Sequence, residues 1–474
     1  MSTMDMTGDG LGQRATARVV LISAAAALGG FLFGFDTAVI NGAVDAIRGG
    51  FTLDAAQTGF AVSCALLGSA LGAWYAGMLA NRFGRVRTMQ VAAVLLVAAA
   101  LGSGLASAVW DLILWRLVGG IGVGVASVIA PTYIAEVSPA HIRGRLGSMQ
   151  QLAIVLGIFA ALLSDAWLAG VSGGAAAPLW FGLAAWRWMF LVATLPALVY
   201  GTLVLGVPES PRHLVAKGRI DEARAVLRSV LNMHSEAALE SKLHDIEDSL
   251  RSEHKPRLRD LCGKTAGLLP VVWIGILLSV FQQFVGINVI FYYSSTLWHS
   301  VGFSEADSFT ITVVTSIVNV LVTLVAIALV DKVGRKPLLV VGSAGMAITL
   351  GLMAWCFSQA TGSGATLSLP GATGMVALVA ANAYVVFFGV SWGPVVWVLL
   401  GEMFPNRIRA TALAVAAAAQ WLANFAITST FPALAELGLT FAYGLYAGFA
   451  LLSLLFVLAS VRETKGIELE DMRA

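Results

Sequence analysis

Charge is scarce in this chain of 474 residues: Asp, Glu, Lys and Arg together supply 12% of it, against 58% hydrophobic residues. No soluble domain of ordinary composition carries so little charge, so the chain reads as a polytopic membrane protein rather than an enzyme dissolved in water. Cysteine is scarcer still. Cys64, Cys262 and Cys356 are odd in number and scattered, which offers neither a disulfide framework nor a metal spacing, and no metal or other cofactor is expected. All six histidines fall in loops or at the ends of apolar segments, so none is placed as an intramembrane proton relay. A net charge of +2 gives no basic footprint for nucleic acid. A complete phosphate loop is also missing: Gly263-Lys264-Thr265 has Leu258 where a glycine is required, which excludes an ATP-driven pump. The polar stretch 1–17 runs into an apolar segment that is too long for a leader and lacks a small-residue cleavage site, so it is read as a retained helix.

What the chain has in abundance is apolar segments of spanning length, at about 19–40, 58–80, 89–108, 112–133, 149–168 and 188–205, then 268–298, 309–330, 338–357, 375–400, 413–431 and 441–461. Twelve segments in two sets of six put both termini on one side. The basic residues choose the side: 26 of 29 Lys and Arg fall on the terminal side, Arg48 and Arg187 on the other, and Arg116 inside a segment. By the positive-inside bias both termini are cytoplasmic. The expected organisation is a tail over 1–18, a six-helix bundle over 19–207, a cytoplasmic linker over 208–267, a second six-helix bundle over 268–461 and a tail over 462–474. The linker holds 11 of the basic residues, and Ala223, Val226, Leu227 and Val230 recur at helical spacing within it, which predicts short amphipathic helices beneath the bundle rather than a disordered connection.

The halves repeat each other. Asn81-Arg82-Phe83-Gly84-Arg85 returns 250 residues later as Asp331-Lys332-Val333-Gly334-Arg335. Glu136 and Arg143 return after 266 as Glu402 and Arg409, and Glu209 after 254 as Glu463. Gly34-Phe35-Asp36 aligns with Gly286-Ile287-Asn288 at an offset of 252, so a membrane carboxylate and a membrane amide occupy equivalent positions.

Polar groups within the apolar segments are the candidate functional residues, because hydrocarbon tolerates them only where they face a protected wet cavity or one another. FQQFVGINVIFYY, residues 281–293, carries Gln282, Gln283 and Asn288. On a regular helix they would point about 0°, 100° and 240° apart, too spread to meet one ligand, so a break near Gly286 is expected. Uncharged amides suit a neutral, hydroxyl-rich target; the alternative is that they glue helices together. Asp36 reads as the only carboxylate well inside a segment and Arg116 as the only base. Counted from Asp111 and Asn41, both sit at about the same depth, roughly 7.5 Å below the outer side. They are expected to pair, as a functional couple or as a structural one. Arg82, Arg85, Glu136, Arg143 and Glu209 in one half, and Asp331, Arg335, Glu402, Arg409 and Glu463 in the other, could be solvated loop charges; their duplication at matching helix ends argues for networks.

NRFGRVR and DKVGRKP, together with PTYIAEVSPAHIRGR, PESPR, FQQFVGIN and WGPVVWVLLGEMFPNRIRATA, closely resemble the sugar porter family of the major facilitator superfamily over nearly the whole chain. The resemblance implies an all-α membrane protein: twelve transmembrane helices in two six-helix bundles, each of two inverted three-helix repeats. It further implies alternating access to a central hexose or pentose site, with the protein in the plasma membrane and working as a monomer. Its sugar-contacting positions fall on Gln151, Gln282, Gln283, Asn288, Asn319, Trp397 and Gln420, with Phe33, Tyr292, Gly393 and Trp421 nearby. Amides would read the hydroxyl rim while an aromatic such as Trp397 covers the apolar face of the ring. Aspartate at the position of Asp36 accompanies proton symport in the family, and the loop motifs latch the inner helix ends together when the cavity faces outward. An uncoupled sugar facilitator, a polyol or inositol porter and a non-transporting sugar sensor are the competing functions; the short stretch after Val461 argues against the sensor. Two residues depart from the pattern. Ile158 stands where some xylose-type proton symporters have a second glutamine, and RETKG at 462–466 begins with Arg462 where proline is usual, which predicts a looser end to the last helix.

Overall fold

The computed structural model describes residues 6–138, 143–231, 233, 235–252, 258–263, 267–361, 368–405 and 408–464. Among the described residues twelve helices are long and apolar enough to cross a membrane. They are numbered here α1 (Arg18–Gly50), α2 (Ala55–Phe83), α3 (Arg85–Leu105), α4 (Val109–Val137), α5 (Met149–Ser172), α6 (Ala185–Leu205), α7 (Pro270–Ser300), α8 (Glu305–Leu329), α9 (Arg335–Ser358), α10 (Thr373–Met403), α11 (Thr411–Leu437) and α12 (Leu439–Ser460). "Inner" denotes the face carrying the Gly84 and Gly334 turns and the linker, "outer" the opposite one.

Four spans are interrupted: α6 only slightly, at Ala193 between the helices Ala185–Val192 and Thr194–Leu205, and three others more sharply. In α7 the helices Pro270–Phe284 and Ile287–Ser300 meet at Gly286, whose φ of 84° and ψ of 19° lie in the left-handed region. That is the break expected from the spread of the amides, and only glycine adopts it without cost. In α10 the helices Thr373–Val390 and Trp392–Met403 meet at Ser391, with φ −128° and ψ −88°. The apolar segment expected over 375–400 is present as one span, but it is built of two helices; an apolar stretch reads the same with or without a bend. In α1 the regular helix runs Met6–Ala38, so the expected polar tail is already helical from Met6, and is followed by a 3-10 turn, Asn41–Ala43, and a short helix, Val44–Gly50. The outer end lies beyond Asn41, which corrects the depth counted for Asp36: it stands in the last turn before a bend.

The linker forms Pro211–Ala216, Ile220–Leu231 and Glu236–Ser252, which bury Leu214, Ala223, Leu227, Leu239 and Leu243 among themselves. This is the amphipathic arrangement that its spacing predicts. Over 461–464, the described residues past α12, the chain stays packed. Val461 is 3% and Thr464 5% exposed, because Glu463 accepts from the amides of Arg335 and Lys336 and the Thr464 hydroxyl donates to Glu402. The missing proline is thus replaced by side-chain tethers.

Large apolar residues such as Leu71, Trp74, Met78, Val94, Ile348 and Trp355 are exposed along the outside of the bundle, as lipid-facing positions must be. The interior divides unevenly. One core joins the second half to the outer ends of the first, through residues such as Val39, Ile40, Leu66, Leu112, Leu162 and Phe190. The inner part of the first half has its own core, around Val19, Leu32, Met89, Val123, Tyr133 and Tyr200. The halves are therefore packed together on the outer side.

Candidate functional site

The break at Gly286 frees the carbonyl of Val285, and the Tyr384 hydroxyl takes it at 2.8 Å. A β-carbon on Gly286 would stand 2.7 Å from the Tyr446 ring, so the turn is fixed by packing as well as by φ. The bend brings the amides into a row. Asn288 Nδ2 donates to Gln283 Oε1 at 2.5 Å, Gln283 Nε2 to Gln282 Oε1 at 3.4 Å, and Gln282 Nε2 to the carbonyls of Trp392 and Gly393 at 2.8 and 3.3 Å. Those carbonyls lie just past the break in α10, so Gln282 ties one interrupted helix to the other. Gln282 and Gln283 are buried and Asn288, at the end of the row, is half-buried. An amide offers more donors and acceptors than this row uses, which leaves its open end able to bind a polar solute.

Of the other expected residues, Gly393 joins the row through its carbonyl, and the rest make no described hydrogen bond to it. Gln151 is on α5, Asn319 on α8 and Gln420 on α11, the last with a buried Oε1 that has no protein partner. Trp421 meets Phe33 across the two halves, ring centroids 5.6 Å apart. Trp397 is 44% exposed, whereas Trp392 is fully buried with its indole N–H on Ser343 Oγ at 2.9 Å. Tyr292 is buried within reach of Thr37 and Asn424. Sequence reading missed Gln150, which packs on Gly30 with both amide atoms unpartnered, and the bend of α10. The pairing of Gly30 and Gly34 one turn apart was the available signal for a close neighbour there.

Arg116 is 3% exposed and Asp36 17% by side chain, and their charged groups approach to 3.7 Å, too far for a hydrogen bond. Arg116 instead donates to the main-chain oxygens of Asp36, at 3.0 Å, and Val62, at 3.5 Å, and its guanidinium lies 5.7 Å from the centroid of the Phe190 ring. Asp36 Oδ2 has no hydrogen-bond partner. The carboxylate is held by charge alone. Asp36 is not, however, the only carboxylate inside a span: Asp165 lies in α5 with no exposure at all. It was overlooked because it stands close to the outer end of its segment.

The duplicated inner motifs fold into duplicated corners. Gly84 and Gly334 have φ of 96° and 104°, and each turn delivers an arginine to a glutamate on the neighbouring helix. Arg85 Nε and Nη2 meet Glu136 at 2.9 and 2.7 Å, while Arg335 Nε and Nη2 meet Glu402 at 3.1 and 2.7 Å. Glu209 accepts from the amides of Arg85 and Val86 as Glu463 does from Arg335 and Lys336. Arg82 is exposed, over the Phe83 ring. The side chains of Arg143, Asp331 and Arg409 lie outside the described residues. His213 adds a feature peculiar to the first corner: its Nδ1 faces Arg85 Nη1 at 3.3 Å, and burial pushes its pKa below the usual imidazole value.

On the outer side the halves are stitched. Asn41 Nδ2 donates to the Phe291 carbonyl at 2.9 Å, and the Ser295 amide and hydroxyl donate to Asn41 Oδ1 and O. Thr296 donates to Asp45, Arg48 pairs with Glu436, and Glu305 on α8 accepts from the Ala175 amide. No described hydrogen bond or ion pair links the two halves at the inner corners.

Two six-helix halves closed on one side around interrupted helices define a polytopic membrane transporter of the major facilitator type. The chain belongs to the family described as "Sugar (and other) transporter", whose model matches residues 22–474. It is 59% identical to the glucose transport protein of Synechocystis sp. (strain ATCC 27184 / PCC 6803 / Kazusa) over 456 residues, 96% of this chain and 97% of the relative. It is 38% identical to the D-xylose-proton symporter of Escherichia coli (strain K12) over 492 residues, 96% of this chain and 94% of the relative. Among solved structures, the partially occluded inward open conformation of the xylose transporter XylE from E. coli matches with a TM-score of 0.82 at 36% identity, covering 95% of this chain and all of the other (100%). Its inward open conformation matches with a TM-score of 0.80 at 37% identity, covering 96% and 99%.

Proposed function

We propose that this protein carries a monosaccharide, a hexose or pentose, across the plasma membrane together with a proton, by alternating access, as a monomer with both termini in the cytoplasm. The observation that carries the reading is the row of Asn288, Gln283 and Gln282 at a mid-membrane break, in the same fold as a carboxylate held by charge alone. Amides with spare donors and acceptors match the rim of a sugar ring, and Trp397 and the Phe33–Trp421 pair supply apolar faces. Gln151, Asn319, Gln420, Tyr292 and Gly393 complete the proposed site. Relatives named for the transport of glucose and xylose support the substrate class, and those named as proton symporters support coupling.

Asp36 would carry the proton. Ionised, it is attracted by Arg116; protonated, it loses that attraction, and α1 is freed to move against α4. A switch needs contacts that differ between its two states. On the outer side those contacts are the Asn41, Ser295 and Asp45 stitches. On the inner side the Arg85–Glu136 and Arg335–Glu402 corners are satisfied within their own halves while the outer side is closed, and they would re-pair across the halves when it opens. The test is uptake of a panel of labelled sugars by proteoliposomes with and without an imposed proton gradient. Uptake of a sugar that the gradient does not raise would leave an uncoupled facilitator; no uptake of any sugar would end the substrate assignment.

A further inference from the structure

Asp165 has no role in the reading above, yet its surroundings are unlike those of any other described carboxylate. It lies in α5 seven residues before Ser172, about 10 Å below the outer helix end, with 0% exposure. Neither carboxyl oxygen accepts a hydrogen bond of good geometry, although the main-chain amide of Gly42 approaches it, and no described ion pair reaches it. What faces it is the main chain of Gly42, in the 3-10 turn Asn41–Ala43, and the sulfur of Met189 on α6. A β-carbon on Gly42 would stand 2.8 Å from Asp165 Cβ, 2.9 Å from its Oδ2 and 2.9 Å from Met189 Sδ. The charged groups on the packed elements are all committed elsewhere. Asp36 and Arg116 face each other, and Asp45 holds Thr296 and lies 3.8 Å from His299. Arg48 pairs with Glu436, Arg187 donates to the carbonyls of Gly104 and Ala106, and Glu305 bonds the Ala175 amide. Asp111 accepts from the Ser107 amide, and Asp307 caps α8 with Ser304.

The neighbour on the other side of Gly42 gives this carboxyl a mechanical connection. Asn41, one residue before Gly42, makes three of the hydrogen bonds that stitch the halves on the outer side. The turn that closes the outer seam is thus the turn that seals Asp165 from water. An unpaired ionised carboxylate cannot be kept in such a place without a large desolvation cost, whereas a neutral acid can.

We propose that Asp165 is a second protonation site, separate from Asp36, that gates the outer seam. It is neutral while the Asn41–Ala43 turn packs on it, and it releases its proton to the outer water when the turn lifts and the cavity opens outward. The proton moves between a carboxyl oxygen and water, so no other reactant is involved. Outer acidity then favours the closed seam, with a closed-to-open ratio that changes by up to about tenfold per pH unit, the limit for one linked proton.

The inference rests on a transporter that alternates but not on its cargo, and the test is built accordingly. Spin labels at Gly49, which has open space around it, and at exposed Leu437 report the outer separation in the full chain in lipid nanodiscs, with Cys262 replaced by serine. In an Asp36→Asn background, which removes the first carboxyl, the short-distance population should still grow as the pH falls. With Asp165→Asn added, that dependence should vanish and the seam should stay closed at every pH, since the amide matches the neutral acid in shape and charge. An unchanged pH dependence in the double variant overturns the proposal. Infrared difference spectra give a second reading that needs no motion: a protonated-acid carbonyl band should be lost on Asp165→Asn, and its persistence would also overturn the assignment. Loss of sugar uptake in the parent would leave both readings untouched, so failure of the cargo assignment is distinguishable.

Discussion

Gly34 and Ile154 are in backbone contact: a β-carbon on Gly34 would stand 1.9 Å from the Ile154 carbonyl oxygen. The contact is reciprocal, since a β-carbon on Gly157 would stand 2.0 Å from the Phe31 carbonyl. Two main chains thus press together half a turn before Asp36, and any side chain there forces α1 off α5. Gly34→Ala is expected to destabilise by about 1–3 kcal/mol, the usual range for overpacking. Gly170→Ala, further along α5 with nothing within 4 Å of a new β-carbon, should instead raise stability by up to about 1 kcal/mol through helix propensity. Thermal unfolding of the two variants in detergent checks the opposite signs.

This contact also marks where the sequence was legible and where it was not. Span number, the two halves and the linker helices follow from patterns that single residues write directly, such as runs of apolar side chains and a repeated Gly84/Gly334 turn. The break at Gly286 was readable because three amides on one regular helix cannot converge. The break at Ser391 was not, because no polar residue beside it demanded a new direction. Asp165 was hidden because it stands near the end of the apolar segment 149–168, whereas its helix continues to Ser172. Close approach of main chains has no signature beyond glycine itself, which this chain uses in many other ways.

Amide truncations should separate binding from architecture. Asn288 ends the row and donates only to Gln283, so Asn288→Ala is expected to weaken sugar binding by about 1 kcal/mol, near fivefold, with little change in melting temperature. Gln282 instead spans the breaks of α7 and α10 through Trp392 and Gly393, so Gln282→Ala should lower both affinity and melting temperature. Calorimetry and thermal melts on the same preparations decide it. An unchanged melt for Gln282→Ala would mean that the two interrupted helices do not depend on this tie.

The inner corner of the first half carries a histidine, and with it a pH dependence. Burial lowers the pKa of His213, and Arg85 beside its Nδ1 opposes a second positive charge, while Glu209 works the other way. The folded protein therefore takes up this proton less readily than the unfolded chain, whose imidazole titrates near 6.5. The corner is at full strength above about pH 6.5 and weakens as the pH falls through that value toward the folded one. His213→Asn should flatten the fall of the melting temperature between about pH 7 and about pH 5. An identical slope in parent and variant would remove His213 from the account.

The proton assignment is tested by separating accumulation from exchange. Arg116 remains charged throughout, so the charge of Asp36 alone decides whether the two attract. Asp36→Asn mimics the protonated side chain but never releases a proton, so no proton is carried across with the sugar; Asp165, which exchanges its proton with the outer water alone, does not replace it. Exchange of sugar for sugar requires no net proton movement and survives at least in part, because the amide row and the Phe33–Trp421 contact are untouched. The loose geometry sharpens the expectation. With the charged groups 3.7 Å apart and Arg116 anchored on the carbonyls of Asp36 and Val62, loss of the charge leaves the arginine with main-chain partners and does not strand it, so the variant should fold. Counterflow measured beside gradient-driven uptake in the same proteoliposomes gives the answer: counterflow retained with accumulation lost supports Asp36 as the carrier, and a variant that still concentrates sugar against its gradient refutes it.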